Sequence, residues 1–159
     1  MKRMPLYFSV SAVTLLFIYL TLGYWIYRHN LSFTCSSSTA SFVTNAGNKP
    51  FFNFTQTLSF DHTGKAFLQL SGELYEDQKA YVVYRTIIYS YSRIGRNEYN
   101  MQVESTILGG NDTVPKEFEQ KHLTPLLKDT RRIIGVMQLP SGDWVIANTS
   151  GPYLICAVH

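Results

Sequence analysis

The chain has 159 residues, of which 45% are hydrophobic and 16% charged, with a formal net charge of +3. Lys2, Arg3 and Arg28 account for that whole excess, because residues 31–159 hold eleven basic and eleven acidic side chains. The basic balance therefore belongs to the first thirty residues and excludes a nucleic-acid footprint, which needs a Lys/Arg-rich face. Beyond that region the one basic pair, Arg131-Arg132, reads as the flank of a strand.

From Pro5 to Tyr27 there is no charged residue. At about 1.5 Å per residue this run makes a helix of roughly 34 Å, enough to cross a hydrocarbon core of about 30 Å. The sequence thus predicts a cytoplasmic stub at 1–4 and a transmembrane helix at 5–27, with Tyr24, Trp25 and Tyr27 as an interfacial belt. Lys2 and Arg3 precede the run, and after Arg28 and His29 no Lys or Arg follows until Lys49, which places the N-terminus inside. A cleaved signal peptide fits less well, since its apolar core runs about 7–15 residues. Within the span Ser11, Thr14, Ile18 and Thr21 share one helical stripe, a candidate surface for a partner helix. The competing reading is that each hydroxyl bonds back to its own helix.

Residues 28–50 read as a membrane-proximal linker with a first strand around 32–36, and 51–159 as a periplasmic β domain. Eleven Tyr and ten Phe, with abundant Val, Ile and Thr, are β-sheet composition. Phe52, Phe54, Leu58 and Phe60 alternate with polar residues, and Asp61-His62-Thr63-Gly64 makes a turn. Ala66, Leu68, Leu70 and Leu74 return on one face, so 52–74 is an antiparallel hairpin. Lys79–Arg93 is a long strand with Tyr81, Val83, Arg85, Ile87, Tyr89 and Tyr91 on one face. Glu98–Leu108 follows with Tyr99, Met101, Val103 and Ile107 on one face. Gly109-Gly110-Asn111-Asp112 breaks the pattern. A short helix is predicted near 115–122, with Thr113 as N-cap, Pro115 in the first turn and Pro125 ending it; Phe118, His122, Leu123, Leu126 and Leu127 are placed to cover one end of the sheet. Strands at 131–139, 144–148 and 153–158 complete the chain, the last two separated by a Ser150-Gly151-Pro152 turn. Six to eight strands and one helix predict a mainly β fold, a curved antiparallel sheet or partly closed barrel.

Chemistry is sparse. There is no zincin motif, nucleophile elbow, phosphate loop or dinucleotide fingerprint, and His29, His62, His122 and His159 lack metal-ligand spacing. No catalytic, cofactor or metal residues are predicted. Cys35 and Cys156 bracket the exported part, and in an oxidising compartment they read as a disulfide. Arg85 sits in the middle of an apolar strand. A solvent-facing position is the simpler reading; an inward one needs a carboxylate, with Glu73 or Glu104 on neighbouring strands as candidates, and would allow Arg85 to hold an anionic ligand. Asn-x-Ser/Thr triplets at Asn30, Asn53, Asn111 and Asn148 would be glycan sites in a eukaryotic secretory chain, and a Ser/Thr-rich chain also produces them by chance.

The N-terminal anchor, Cys35 just past it, the hairpin LSFDHTGKAFLQLSGELY at 58–75, the strand YRTIIYSYS at 84–92 and Cys156 near the end together resemble the FidL-like family of small bacterial inner-membrane proteins. That resemblance implies a non-enzymatic protein of the bacterial inner membrane, a companion to membrane-bound transcriptional regulators of the ToxR or CadC type. The expectation is a periplasmic β domain that binds and tunes such a regulator; the alternative is a periplasmic lipid- or small-ligand-binding module.

Overall fold

A computed structural model describes residues 4–40, 51–76, 79–123, 127–148 and 151–156. Helix α1, Met4–His29, leads into strands β1 (Phe33–Ala40), β2 (Phe51–Asp61), β3 (Lys65–Glu76), β4 (Lys79–Arg93) and β5 (Glu98–Leu108). Helix α2 (Lys116–His122) follows, then β6 (Arg131–Gln138), β7 (Trp144–Asn148) and β8 (Gly151–Cys156). The connection between α1 and the sheet is residues 30–32, and the first strand, expected around 32–36, runs Phe33–Ala40; residues 41–50 lie outside the described residues. Among the described residues no helix is long and apolar enough to cross a membrane. Side chains of α1 are described for residues 11–25, about 22 Å of helix at 1.5 Å per residue.

The eight strands form one sheet in chain order, each antiparallel to the next. Alternation explains the order: β2 to β8 each have an apolar face and β1 adds Phe33 and Cys35, and a meander is the shortest way to turn those residues inward together. The two sheet edges meet where Cys35 of β1 and Cys156 of β8 form the expected disulfide, their Cα atoms 5.2 Å apart. That is the spacing of neighbouring strands, about 4.5–5.5 Å. The result is a nearly closed up-and-down barrel. Because strand number is even, α1 and the end of β8 lie at the same end, called proximal here; α2 lies at the distal end.

Leu58, Phe60, Leu68, Leu70, Leu74, Val83, Ile87, Tyr89, Met101, Val103, Ile134, Val136, Ile146 and Leu154 fill the interior. Gly64, at φ 85°, closes the β2–β3 turn by donating its N–H to the Asp61 carbonyl at 3.1 Å, and Thr63 N–H bonds the Asp61 side chain at 3.1 Å. Gly72 is needed for close approach: a Cβ there would fall 2.6 Å from Phe54 Cβ.

Three local expectations are corrected. Ile107 is exposed, because the β4–β5 register shifts between Ile88 and Tyr89; this bulge skips Glu104 and inverts the alternation beyond it. Pro115, not Thr113, is the N-cap of α2, and the Thr113 hydroxyl instead accepts the Val82 N–H at 2.8 Å. Gly151 and Pro152 begin β8 rather than turning, which an edge strand tolerates because it has a side free of ladder bonds. The helix-breaking role assigned to Pro125 falls outside the described residues. Phe118 and Leu123 are buried at the distal end, as expected.

Candidate functional site

The distal end is built around Arg85, which is not solvent-facing. Its side chain is 1% exposed and that of Asp112 2%. Arg85 donates from Nε to Asp112 Oδ2 at 2.9 Å and from Nη2 to Oδ1 at 2.7 Å, the two-pronged geometry that guanidinium and carboxylate share. A third charge, Glu119 of α2, lies 3.4 Å from Nη1 and is 20% exposed. The partners suggested by neighbouring strands do not serve: Glu104 pairs with Lys65 on the outer wall, and the Glu73 carboxylate accepts the Tyr75 hydroxyl.

Asp112 reaches Arg85 because the β5–α2 loop folds back along β4. Gly109 N–H bonds the Tyr84 carbonyl at 2.7 Å, Tyr84 N–H bonds Asp112 Oδ2 at 3.0 Å, and Thr113 N–H bonds the Val82 carbonyl at 2.9 Å. The loop thus satisfies backbone groups of β4 that β5 leaves behind. Gly109 permits it, since a Cβ there would run into the Tyr84 ring and its carbonyl. The pattern break at 109–112 marked a loop, but nothing in strand periodicity said that it returns to its own neighbour. Arg85↔Leu108 pairing is the signal that would have found Asp112, four residues further on. Phe118 completes this lid, with its ring 6.4 Å from Phe52 and 6.1 Å from Tyr81.

The proximal end is floored by aromatic rings instead of charges. Trp144 stacks on Phe33 at 4.1 Å, and the series continues through Phe60, Tyr91 and Tyr99 at 4.9, 5.3 and 5.9 Å. It crosses the β8–β1 seam and so reinforces the closure at Cys35–Cys156. The Tyr91 hydroxyl holds the start of the domain: it accepts Leu31 N–H at 3.0 Å and lies 3.0 Å from the Leu31 carbonyl and 2.8 Å from that of Asp61, its proton serving both. Burial pushes the Tyr91 phenol up to about 12, against a smaller lowering by the Leu31 bond. Asn30 Nδ2 adds a bond to the His62 carbonyl at 2.6 Å. Beside this joint lies an open cleft of about 530 Å³ whose walls include Trp25, Asn30, Tyr91, Arg93, Ile94 and Gly95.

Along α1, Thr14 Oγ1 donates to the Ser11 carbonyl at 2.8 Å, and Thr21 Oγ1 lies 2.9 Å from both the Phe17 and Ile18 carbonyls. The stripe of Ser11, Thr14, Ile18 and Thr21 therefore presents methyl groups and small side chains, its threonine hydroxyls bonded to their own helix. On the outer wall of the barrel, register aligns Met137, Val145 and Ile155 across β6, β7 and β8. Met137 and Ile155 are 50% and 60% exposed, and Ile133 extends the row along β6. No His/Cys/Asp/Glu group among the described residues is arranged to hold a metal.

Comparison with protein-family models, curated proteins and solved structures finds no match to this chain.

Proposed function

We propose that this chain is a single-pass protein of the bacterial inner membrane whose exported barrel binds and tunes a partner protein, a membrane-bound transcriptional regulator of the kind that accompanies FidL-like proteins. The observation that carries the binding reading is the contrast between interior and wall. The interior is filled with side chains and its one arginine is engaged by Asp112, whereas Met137, Val145 and Ile155 form an apolar row facing outward beside the β8 edge. A sheet edge next to exposed apolar residues is a surface on which another chain can pack. Supporting the anchor, α1 runs 26 residues, about 39 Å at 1.5 Å per residue, and its apolar stretch has no charge. The disulfide accords with an oxidising compartment, a weaker support. The alternative, a lipid- or small-ligand module with Arg85 as the anion receiver, draws less support because that guanidinium already has its carboxylate.

Cross-linking of a C-terminally tagged full chain in native membranes, with mass spectrometry of what co-purifies, tests the reading. Recovery of a regulator with its own membrane span is expected. Met137→Lys with Ile155→Lys lowers that recovery at least fivefold, and Ser11→Leu with Thr14→Leu lowers it if the helix stripe contributes. Unchanged recovery in both double variants, or no protein partner at all, would overturn it.

A further inference from the structure

The cleft at the foot of the barrel has the composition and the position of a lipid-headgroup site. Trp25, an interfacial aromatic at the end of the apolar run, forms one wall. The opposite wall is the β4–β5 turn, where Ile94 is 53% exposed and flanked by Arg93 and Arg96. An apolar tip next to Arg93, the arginine that lines the cleft, suits the boundary between acyl chains and anionic headgroups. The turn is held rigid: Arg93 donates from Nε to the Gly95 carbonyl at 2.9 Å and from Nη2 to the Arg96 carbonyl at 2.5 Å.

Position follows from chain length. Residues 30–32 span at most about 11 Å when extended, at 3.3–3.6 Å each. Asn30 is further tied to His62, and Leu31 to Tyr91, whose hydroxyl also bonds the Asp61 carbonyl. The cleft cannot leave the level of Trp25, and interfacial tryptophan sits among headgroups. The nearby acids are Asp61, 2.8 Å from His62, and Glu98, folded against Gly95; both lie beside the β4–β5 turn or its neighbour, so the net local charge is small and Arg93 acts by direct contact.

We infer that this cleft seats the phosphate-glycerol headgroup of one anionic phospholipid, with Arg93 toward the phosphate and Trp25 and Ile94 against the start of the acyl chains. This rests on the membrane-spanning reading of α1. Seating a lipid there fixes the tilt of the barrel on the membrane, and so which part of its wall faces a partner.

The test uses the full chain in nanodiscs of POPC and POPG at 7:3, released into a mass spectrometer under native conditions. Wild type is expected to retain one POPG per chain in preference to POPC. Arg93→Gln lowers that retention about fivefold, since one interfacial charge contributes roughly that factor, whereas Arg96→Gln, outside the lining of the cleft, leaves it close to wild type. Arg93→Lys keeps the charge without the fork and retains the lipid, which separates charge from turn geometry. Retention that is equal for POPG and POPC, or indifferent to Arg93→Gln, would overturn the headgroup site. The membrane reading is read out separately: brominated POPC quenches Trp25 in a Trp144→Phe background if α1 is embedded. Quenching without selective retention sinks the site alone; no quenching sinks both.

Discussion

The two ends of the barrel are sealed by different physics. The distal end is closed by a buried Arg85–Asp112 pair with Glu119 beside it, held on a loop and a seven-residue helix. The proximal end is closed by five aromatic rings running from Trp144 to Tyr99, with one hydroxyl holding the incoming chain. A buried ion pair stabilises only while both partners are present, because each charge has lost its water. Ring contacts fail gradually, losing area in proportion to what is removed. The lid is therefore the brittle end and the floor the tolerant one.

The largest expected effect removes what holds floor and seam together. Cys35→Ser with Cys156→Ser opens a loop of 121 residues and should lower stability by about 5 kcal/mol in the chain-entropy model, read as a fall in the urea midpoint of the full chain in detergent. Next comes the lid. Asp112→Ala should cost about 3–5 kcal/mol, because it leaves Arg85 buried without its carboxylate and removes the acceptor of the Tyr84 and Val114 N–H groups. Arg85→Met should cost clearly less in the same measurement, since Asp112 keeps those two donors; equal costs would undo the account of a brittle lid.

At the floor, Tyr91→Phe keeps the ring contacts and removes the anchor, for an expected loss of about 1–2 kcal/mol. The raised phenol gives it a pH signature. Below pH 10 the group is neutral folded or unfolded and contributes no pH dependence. Between pH 10 and about 12 the unfolded form ionises first, so stability falls with rising pH. Tyr91→Phe should lose that part of the fall, measured by unfolding at pH 9 and 11. The smallest effect is expected from Glu119→Gln, below about 1 kcal/mol, because its contact is single and partly solvated.

Period-two alternation was enough to locate most strands and to group Arg85 with Tyr81, Val83, Ile87, Tyr89 and Tyr91 on one face of β4, but the simpler reading, an arginine turned to solvent, was wrong: Arg85 keeps the buried register of its face. Alternation failed where geometry departs from that period. The bulge at Ile88/Tyr89 turned Ile107 outward, and no residue type announces a bulge there. It also could not reveal Arg85's partner, because Asp112 comes from a loop whose path depends on how far β5 runs before leaving β4. The aromatic floor was visible as composition and not as a structure. Its rings come from five strands, and only the closed sheet brings Phe33 against Trp144. The cysteine pair was legible from compartment and count, while its position across the seam required the strand order.

Any pull transmitted along α1 enters the barrel at Phe33 and, two residues on, meets the bond to the last strand. Beyond Cys35, β1 cannot be peeled away from β2 like the free end of a zipper. The load divides between the first and last strands, and their ladders must slide along their length together, so the domain answers tension at its anchor as a loop of rope does and not as a thread.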